Sequence, residues 1–188
     1  MIRKLALVLL VFSLLVPATA LAEAGFQFGI PNRNFPEDES VNGMRLSFLW
    51  GNNQETSGFD LGLFSVSQTQ TRSGLALIGG VSRVTGNTDG AANFSFMNYH
   101  SGRDQGLNAA FINMVNNTED AFNLGFVQIA QGRTSVDLGG LNISKQSDVQ
   151  IGFINITDQI DGFQFGFINM AENGFFKFFP IFNYAKQP

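Results

Sequence analysis

Apolar side chains fall at every second position in short runs along this chain, and the runs recur. The clearest is Gly162-Phe163-Gln164-Phe165-Gly166-Phe167-Ile168-Asn169-Met170. Phe163, Phe165 and Phe167 share one side of an extended backbone while Gln164 and Gly166 share the other, which is the period of a β-strand with one apolar face. The frame returns as Val149, Ile151, Phe153, as Phe122, Leu124, Phe126, and as Phe59, Leu61, Leu63. Between the first two apolar residues the place is polar in copy after copy: Gln27, Arg45, Asp60, Asn93, Asn108, Asn123, Asp137, Gln150 and Gln164. The next place on that side is small, as at Gly29, Ser47, Gly62, Ala110, Gly125 and Gly152. The alternation slips near one end. Ile168 with Met170, Ile154 with Ile156, and Ile112 with Met114 fall out of phase with the preceding aromatics, so the second face becomes apolar there.

Aligned on Asn169, the copies are marked by Asn183, Asn155, Asn142, Gln128, Asn113 and Asn98, with Val81, Ser65 and Trp50 as degenerate members and Asn32 as the first. That makes eleven copies at spacings of 13 to 18 residues, most often 14 or 15. Polar segments such as Asn116-Asn117-Thr118-Glu119-Asp120 and Ser144-Lys145-Gln146-Ser147 separate them and read as turns. A recurring period of this kind marks a repeat architecture.

Nine-residue strands with an apolar side and a small, polar side predict an all-β fold. The preferred form is an antiparallel up-and-down barrel of about ten short strands, with rings facing lipid and amides and glycines filling a narrow lumen. A barrel with the rings inside would overfill its centre. The alternative is a parallel β-solenoid with one copy per coil, Asn169 and its equivalents stacked as a ladder, and a corner where the alternation slips. Against it, a straight nine-residue run covers about 30 Å, too far for the remaining residues to return. The intervening segments also lack a regular inward apolar residue. The last copy, with Phe178, Pro180, Phe182 and Tyr184 alternating, is similar to the aromatic closing strand of outer-membrane barrels.

Composition narrows the chemistry. Charged residues make up 14% of the chain, against about 25% in ordinary soluble domains. Phe and Gly number 21 each. Cysteine is absent, which removes disulfides, thiolate metal sites and cysteine nucleophiles. Arg3 and Lys4, the apolar run Leu5 to Val16, Pro17 and Ala20-Leu21-Ala22 form a secretory leader over residues 1–22, with cleavage expected after Ala22. Residues 23–188 are then one repeat-built domain. Loss of Arg3 and Lys4 takes the formal charge from −4 to −6, and an acidic chain argues against a nucleic-acid partner.

The unit Gly-x-Gln-x-Gly-x-x-Asn, carried by Gly25-Gln27-Gly29-Asn32, by Gly162-Gln164-Gly166-Asn169 and by Gln150-Gly152-Asn155, resembles the surface repeat of a bacterial family first noted among spirochaete surface proteins. The resemblance implies an exported or surface location. Some similar proteins carry the label of a polyhydroxyalkanoate synthase, but such synthases need a cysteine in a Gly-x-Cys-x-Gly elbow, and this chain has none.

No catalytic, cofactor-binding or metal-binding set stands out. His100 is the sole histidine, so neither a triad nor a multi-histidine metal site can form, and a loop or interfacial place is expected for it. Arg45, Asp60, Asn123, Asp137, Gln150 and Gln164 are the candidate polar lumen residues. Asp60 and Asp137 are expected to pair with Arg45 rather than to line a cation path. Trp50 and Tyr99 suit a membrane interface. The functional expectation is a non-enzymatic outer-membrane or cell-surface barrel, structural or a narrow pore, with outer-membrane lipid as partner and the barrel-assembly machinery implied. The alternative is an exported solenoid scaffold in the periplasm or on the surface.

Overall fold

The structure is a computed structural model that describes residues 23–31, 33–37 and 40–186; the leader reading of residues 1–22 and the first repeat marker, Asn32, lie outside them. Its elements are β1 (Ala24–Ile30), β2 (Arg33–Phe35), β3 (Ser40–Val84), β4 (Thr88–Leu124), β5 (Val127–Ala171) and β6 (Phe178–Tyr184), with no helix among the described residues. Three of these are far too long to be straight. A straight strand of 45 residues, the length of β3 and of β5, would run about 150 Å. Each instead winds upon itself: within β4, Asn98 hydrogen-bonds to Asn113, fifteen residues on.

Neighbouring windings run the same way. β1 pairs parallel with β3, with Gln27 opposite Arg45. β3 pairs parallel with β4, with Ala76 opposite Asn93 and Ser82 opposite Asn98. β4 pairs parallel with β5, with Asn123 opposite Asp137. The chain is therefore a parallel β-solenoid, the alternative above, and the antiparallel barrel is corrected. The pairing also moves two markers: Val81 lies opposite Met97, so Ser82, not Val81, continues the Asn98 column, and Asn183 lies opposite Gln164 rather than continuing the Asn169 column.

The geometric objection to a solenoid fails at the slip in alternation. Gly166 and Asn169 are both buried, while Phe167 and Ile168 between them are both exposed. Two consecutive outward residues turn the backbone through a corner, so the nine-residue run is bent, not straight. The missing inward apolar residue on the third side also has a physical answer. The interior is polar, and that side supplies buried Thr88, Asp104, Thr118, Thr134 and Ser147 instead. Each coil thus has a long side (Phe163 to Phe167), a short side (Ile168 to Ala171) and a polar third side. About ten coils at ~4.8 Å per step make a rod of about 50 Å.

One glycine column shows how close the windings come. Gly43, Gly58 and Gly74 have φ of 147°, 101° and 94°. A Cβ on each would stand 2.2, 2.2 and 2.3 Å from the carbonyl oxygen of Gly25, Gly43 and Gly58 in the coil before. Left-handed backbone and lack of room together require glycine at the entry to the long side.

Both ends are closed by reversal. β2 pairs antiparallel with β1. β6 pairs antiparallel with Phe163–Met170, with a register shift between Gly166 and Asn169, and Ile181 within it has φ 74°. The aromatic last copy is thus a terminal cap, not the closing strand of a barrel. Phe182 stacks on Phe163 at 5.7 Å, so the cap continues the apolar long side.

Candidate docking faces around a polar interior

The inward side chains form columns that run along the rod. In the first, Asn98 Nδ2 donates to Asn113 Oδ1 at 2.8 Å, and Asn113 Nδ2 to Gln128 Oε1 at 2.6 Å. Further along, Asn142 donates to Asn155 at 2.7 Å and Asn155 to Asn169 at 2.8 Å. Asn169 ends the column on the backbone carbonyl of Phe179 in the cap, at 3.1 Å. A carboxamide both donates and accepts, so identical residues one coil apart satisfy each other without charge.

The second column holds the residues singled out from sequence. Asn93 donates to Asn108 at 3.2 Å, Asn108 to Asn123 at 3.1 Å, and Asn123 to Asp137 Oδ1 at 2.9 Å. Gln164 donates to Gln150 at 2.8 Å, and Asn183 of β6 to Gln164 at 3.2 Å. All of these side chains are buried. Asp137 does not meet Arg45. Its Oδ2 accepts from Thr134 Oγ1 at 2.7 Å and from Ser147 Oγ at 3.3 Å. Burial pushes its carboxyl above the usual carboxylate value, and hydrogen bonds from Asn123, Thr134, Gln150 and Ser147 only partly oppose that.

Asp60 does meet Arg45, as expected, with Arg45 Nε donating to Asp60 Oδ1 at 2.9 Å. Arg72 joins them, its Nη2 2.7 Å from Asp60 Oδ2. Ser67 hydrogen-bonds to Asp60, Arg45 and Arg72. Burial alone would raise the Asp60 carboxyl, but the Arg45 and Arg72 guanidiniums and hydrogen bonds from Arg45 and Ser67 outweigh it and hold it below its ordinary value. Burial, with Arg45 nearby, lowers Arg72 to about 10 despite the opposing pull of Asp60. The sequence gives a signal for Arg72 that is easy to miss: the column has Ala76 where its neighbours have Asp60 and Asn93, and the Arg72 guanidinium reaches both of those residues.

His100 is neither in a loop nor at an interface. It is buried, and its Nδ1 is hydrogen-bonded to the buried carboxylate of Asp104, which also accepts from Asn108 Nδ2 at 3.2 Å and from the Gly106 amide at 2.8 Å. Among the described residues no group of three or more His, Cys, Asp or Glu could hold a metal ion.

The outside reverses the usual arrangement. On the long side, Phe96, Phe111 and Phe126 stack in succession at 5.6 and 5.3 Å, and Phe153 stacks on Phe167 at 5.6 Å. All five rings are exposed, Phe167 to 71%. Gly140 interrupts the column, and Phe126 leans over it. The short side presents Ile168 and Met170 in one coil, with Ile154, Ile156, Ile112 and Met114 at matching places in others. Arg83 is a charge on this side, lying over the Tyr99 ring at 5.9 Å. Trp50 is exposed beside Phe48 and Leu49, and Tyr99 is half-buried. Between the ridges of the long side runs an apolar groove of about 380 Å³, walled by Ile151, Phe153, Phe165 and Phe167, floored by Gly139, Gly152 and Gly166, and stopped by Ile181.

Charge gathers on the third side. Arg133 lies 3.1 Å from Asp120, 3.0 Å from Asp148 and 3.8 Å from Asp161, and Arg103 lies 2.7 Å from Glu119. These groups are exposed. The hydrogen bond to Asp148 and the surrounding carboxylates raise Arg133 further above its ordinary value.

No protein-family model, curated protein or solved structure matches the chain. The fold defines the class: an all-β parallel solenoid with an amide-rich interior, two apolar outer sides and a charged third side. No helix of the described residues is long and apolar enough to cross a membrane.

Proposed function

We propose that this protein is an exported, non-enzymatic β-solenoid scaffold of the cell envelope that docks through its long and short sides against a hydrophobic surface. The observation that carries the reading is the inversion of polarity. Amides, hydroxyls and ion pairs predominate in the interior, beside alanines and a few valines and isoleucines, while large apolar side chains stand outside in regular columns. Five residues of long side at ~3.3 Å each, over a rod of about 50 Å, give an apolar face of about 800 Å². The largest apolar patch on a typical monomer is about 300–600 Å² and is often functional. Solenoids use such continuous faces for binding. The secretory leader read over residues 1–22 and the likeness of the repeat to a bacterial surface repeat support the export part of the reading.

Fractionation of cells that express the full chain tests it. Recovery of a processed chain outside the cytoplasm, in the periplasm or with the envelope, is the expected result, with no heat-dependent shift in gel migration of the kind barrels give. Retention of the unprocessed chain in the cytoplasm overturns the export reading.

A further inference from the structure

Three features remain once the interior has been explained: two apolar sides, the corner at which they meet, and a charged side facing away from that corner. From these we infer that the partner is a lipid bilayer, and that the rod lies in its interface with the Phe167–Ile168 corner and its equivalents pressed into the acyl region. The inference rests on the docking reading above and names its partner.

The wedge shape distinguishes lipid from a second copy. A flat copy of the long side could cover Phe153, Phe165 and Phe167 but would leave Ile168 and Met170, around the corner, in water. A fluid apolar phase covers both sides of a corner at once. Charge agrees with this. Asp120, Asp148 and Asp161 with Arg133 stand on the side opposite the corner, where headgroups and water would lie. Segregation of an apolar face from a charged face is the signature of interfacial rather than spanning association. The groove floored by Gly139, Gly152 and Gly166 follows the rod axis across successive coils, and its apolar lining suits an acyl chain. Backbone groups in the coils are paired with the coils on either side, so the apolar sides bring no row of unsatisfied amides into lipid. The chain is acidic, so attraction to anionic headgroups is no part of the binding.

The test is flotation of the full exported chain, freed of detergent, with phosphatidylcholine vesicles and with vesicles that also contain phosphatidylglycerol. The expected result is co-flotation with both, unchanged at high salt. The single tryptophan, Trp50, lies by the corner, and brominated acyl chains are expected to quench its emission. The pair Phe153→Gln and Phe167→Gln is expected to lower partitioning at least about tenfold with an unchanged circular dichroism spectrum. Asp158→Asn, at an exposed position past the short side and beyond buried Thr157, leaves partitioning unchanged. If the double variant fails to fold, quenching of Trp50 in the unaltered protein decides alone. Absence of flotation and quenching with both compositions overturns the inference, as does flotation only with the anionic vesicles that salt abolishes. Light scattering then separates the two readings. A dimer dispersed by the double variant keeps the docking reading and rejects lipid as its partner, whereas a monomer that binds no vesicle rejects both.

Discussion

The early and late windings have the same apolar shell and differ in what they enclose. In β3 the interior is ionic: Asp60 holds both Arg45 and Arg72. In β5, past Asp137, it is made mostly of carboxamides, with Asn142, Asn155 and Asn169 in one column and Gln150 and Gln164 in another. An amide column asks the same thing of every coil, so copies can follow one another at 13 or 14 residues without adjustment. An ion cluster assigns each coil a different role and depends on one geometry. The corners of β3 are correspondingly irregular, with Leu49 and Phe64 at φ 65° and 48°. Two solutions to one requirement, a polar interior whose side chains satisfy one another, therefore stand side by side in a single rod.

The largest effect should come from breaking the ionic half. Asp60→Ala leaves two buried guanidiniums without a carboxylate and is expected to cost about 3–5 kcal/mol in chemical denaturation. Asn155→Ala should cost less, about 2 kcal/mol. It removes the acceptor of Asn142 and a donor to Asn169, while the Asn142 amide keeps its bond to the Ile151 carbonyl. A loss for Asn155→Ala as large as that for Asp60→Ala would erase the distinction between the halves.

Acid sharpens the contrast further, because the buried Asp60 and Asp137 respond in opposite directions. The Asp60 carboxyl is depressed below 3.8 in the fold, so its contribution is present above that pH and is lost as pH falls through the depressed value. The Asp137 carboxyl is raised above 3.8, so its contribution is complete below that pH and is lost as pH rises through the raised value. Asp137→Asn extends the amide column and removes this second dependence. Denaturation midpoints of the unaltered protein are expected to decline relative to the variant as pH rises above 3.8. Parallel profiles would show that Asp137 stays ionised. The smallest effect belongs to Arg133→Ala. Its ion pairs are exposed, and exposed pairs are screened by salt, so no change in thermal midpoint is expected at physiological ionic strength.

The outward rings and inward amides were readable from the sequence, because alternation assigns sides whatever the neighbouring strand does. The direction of that neighbour was not. Parallel and antiparallel sheets share the period of two, and nothing in Gly162–Met170 alone distinguishes them. The slip at Ile168 carried the answer, but it means a corner only if the interior is allowed to be polar. His100 and Asp104 were hidden for a related reason. Four residues apart, they would share a face of an extended chain but lie about 13 Å from each other, and they meet only because Ser101–Arg103 turns the backbone onto the third side. Arg72 falls outside the repeating places that the alternation marks, and only the gap left by Ala76 hints that its side chain goes inward.

The reversed β6 has a consequence beyond closing one end. Every internal coil is a template for another like it, so a bare final coil would recruit the first coil of a second molecule, and then a third. β6 offers a poor landing place for such recruitment: it is short, runs against the grain, kinks at Ile181 and carries Pro180, which has no amide proton to donate. At this end, what opposes such growth is therefore the reversed segment Phe178–Tyr184, and not the repeats themselves.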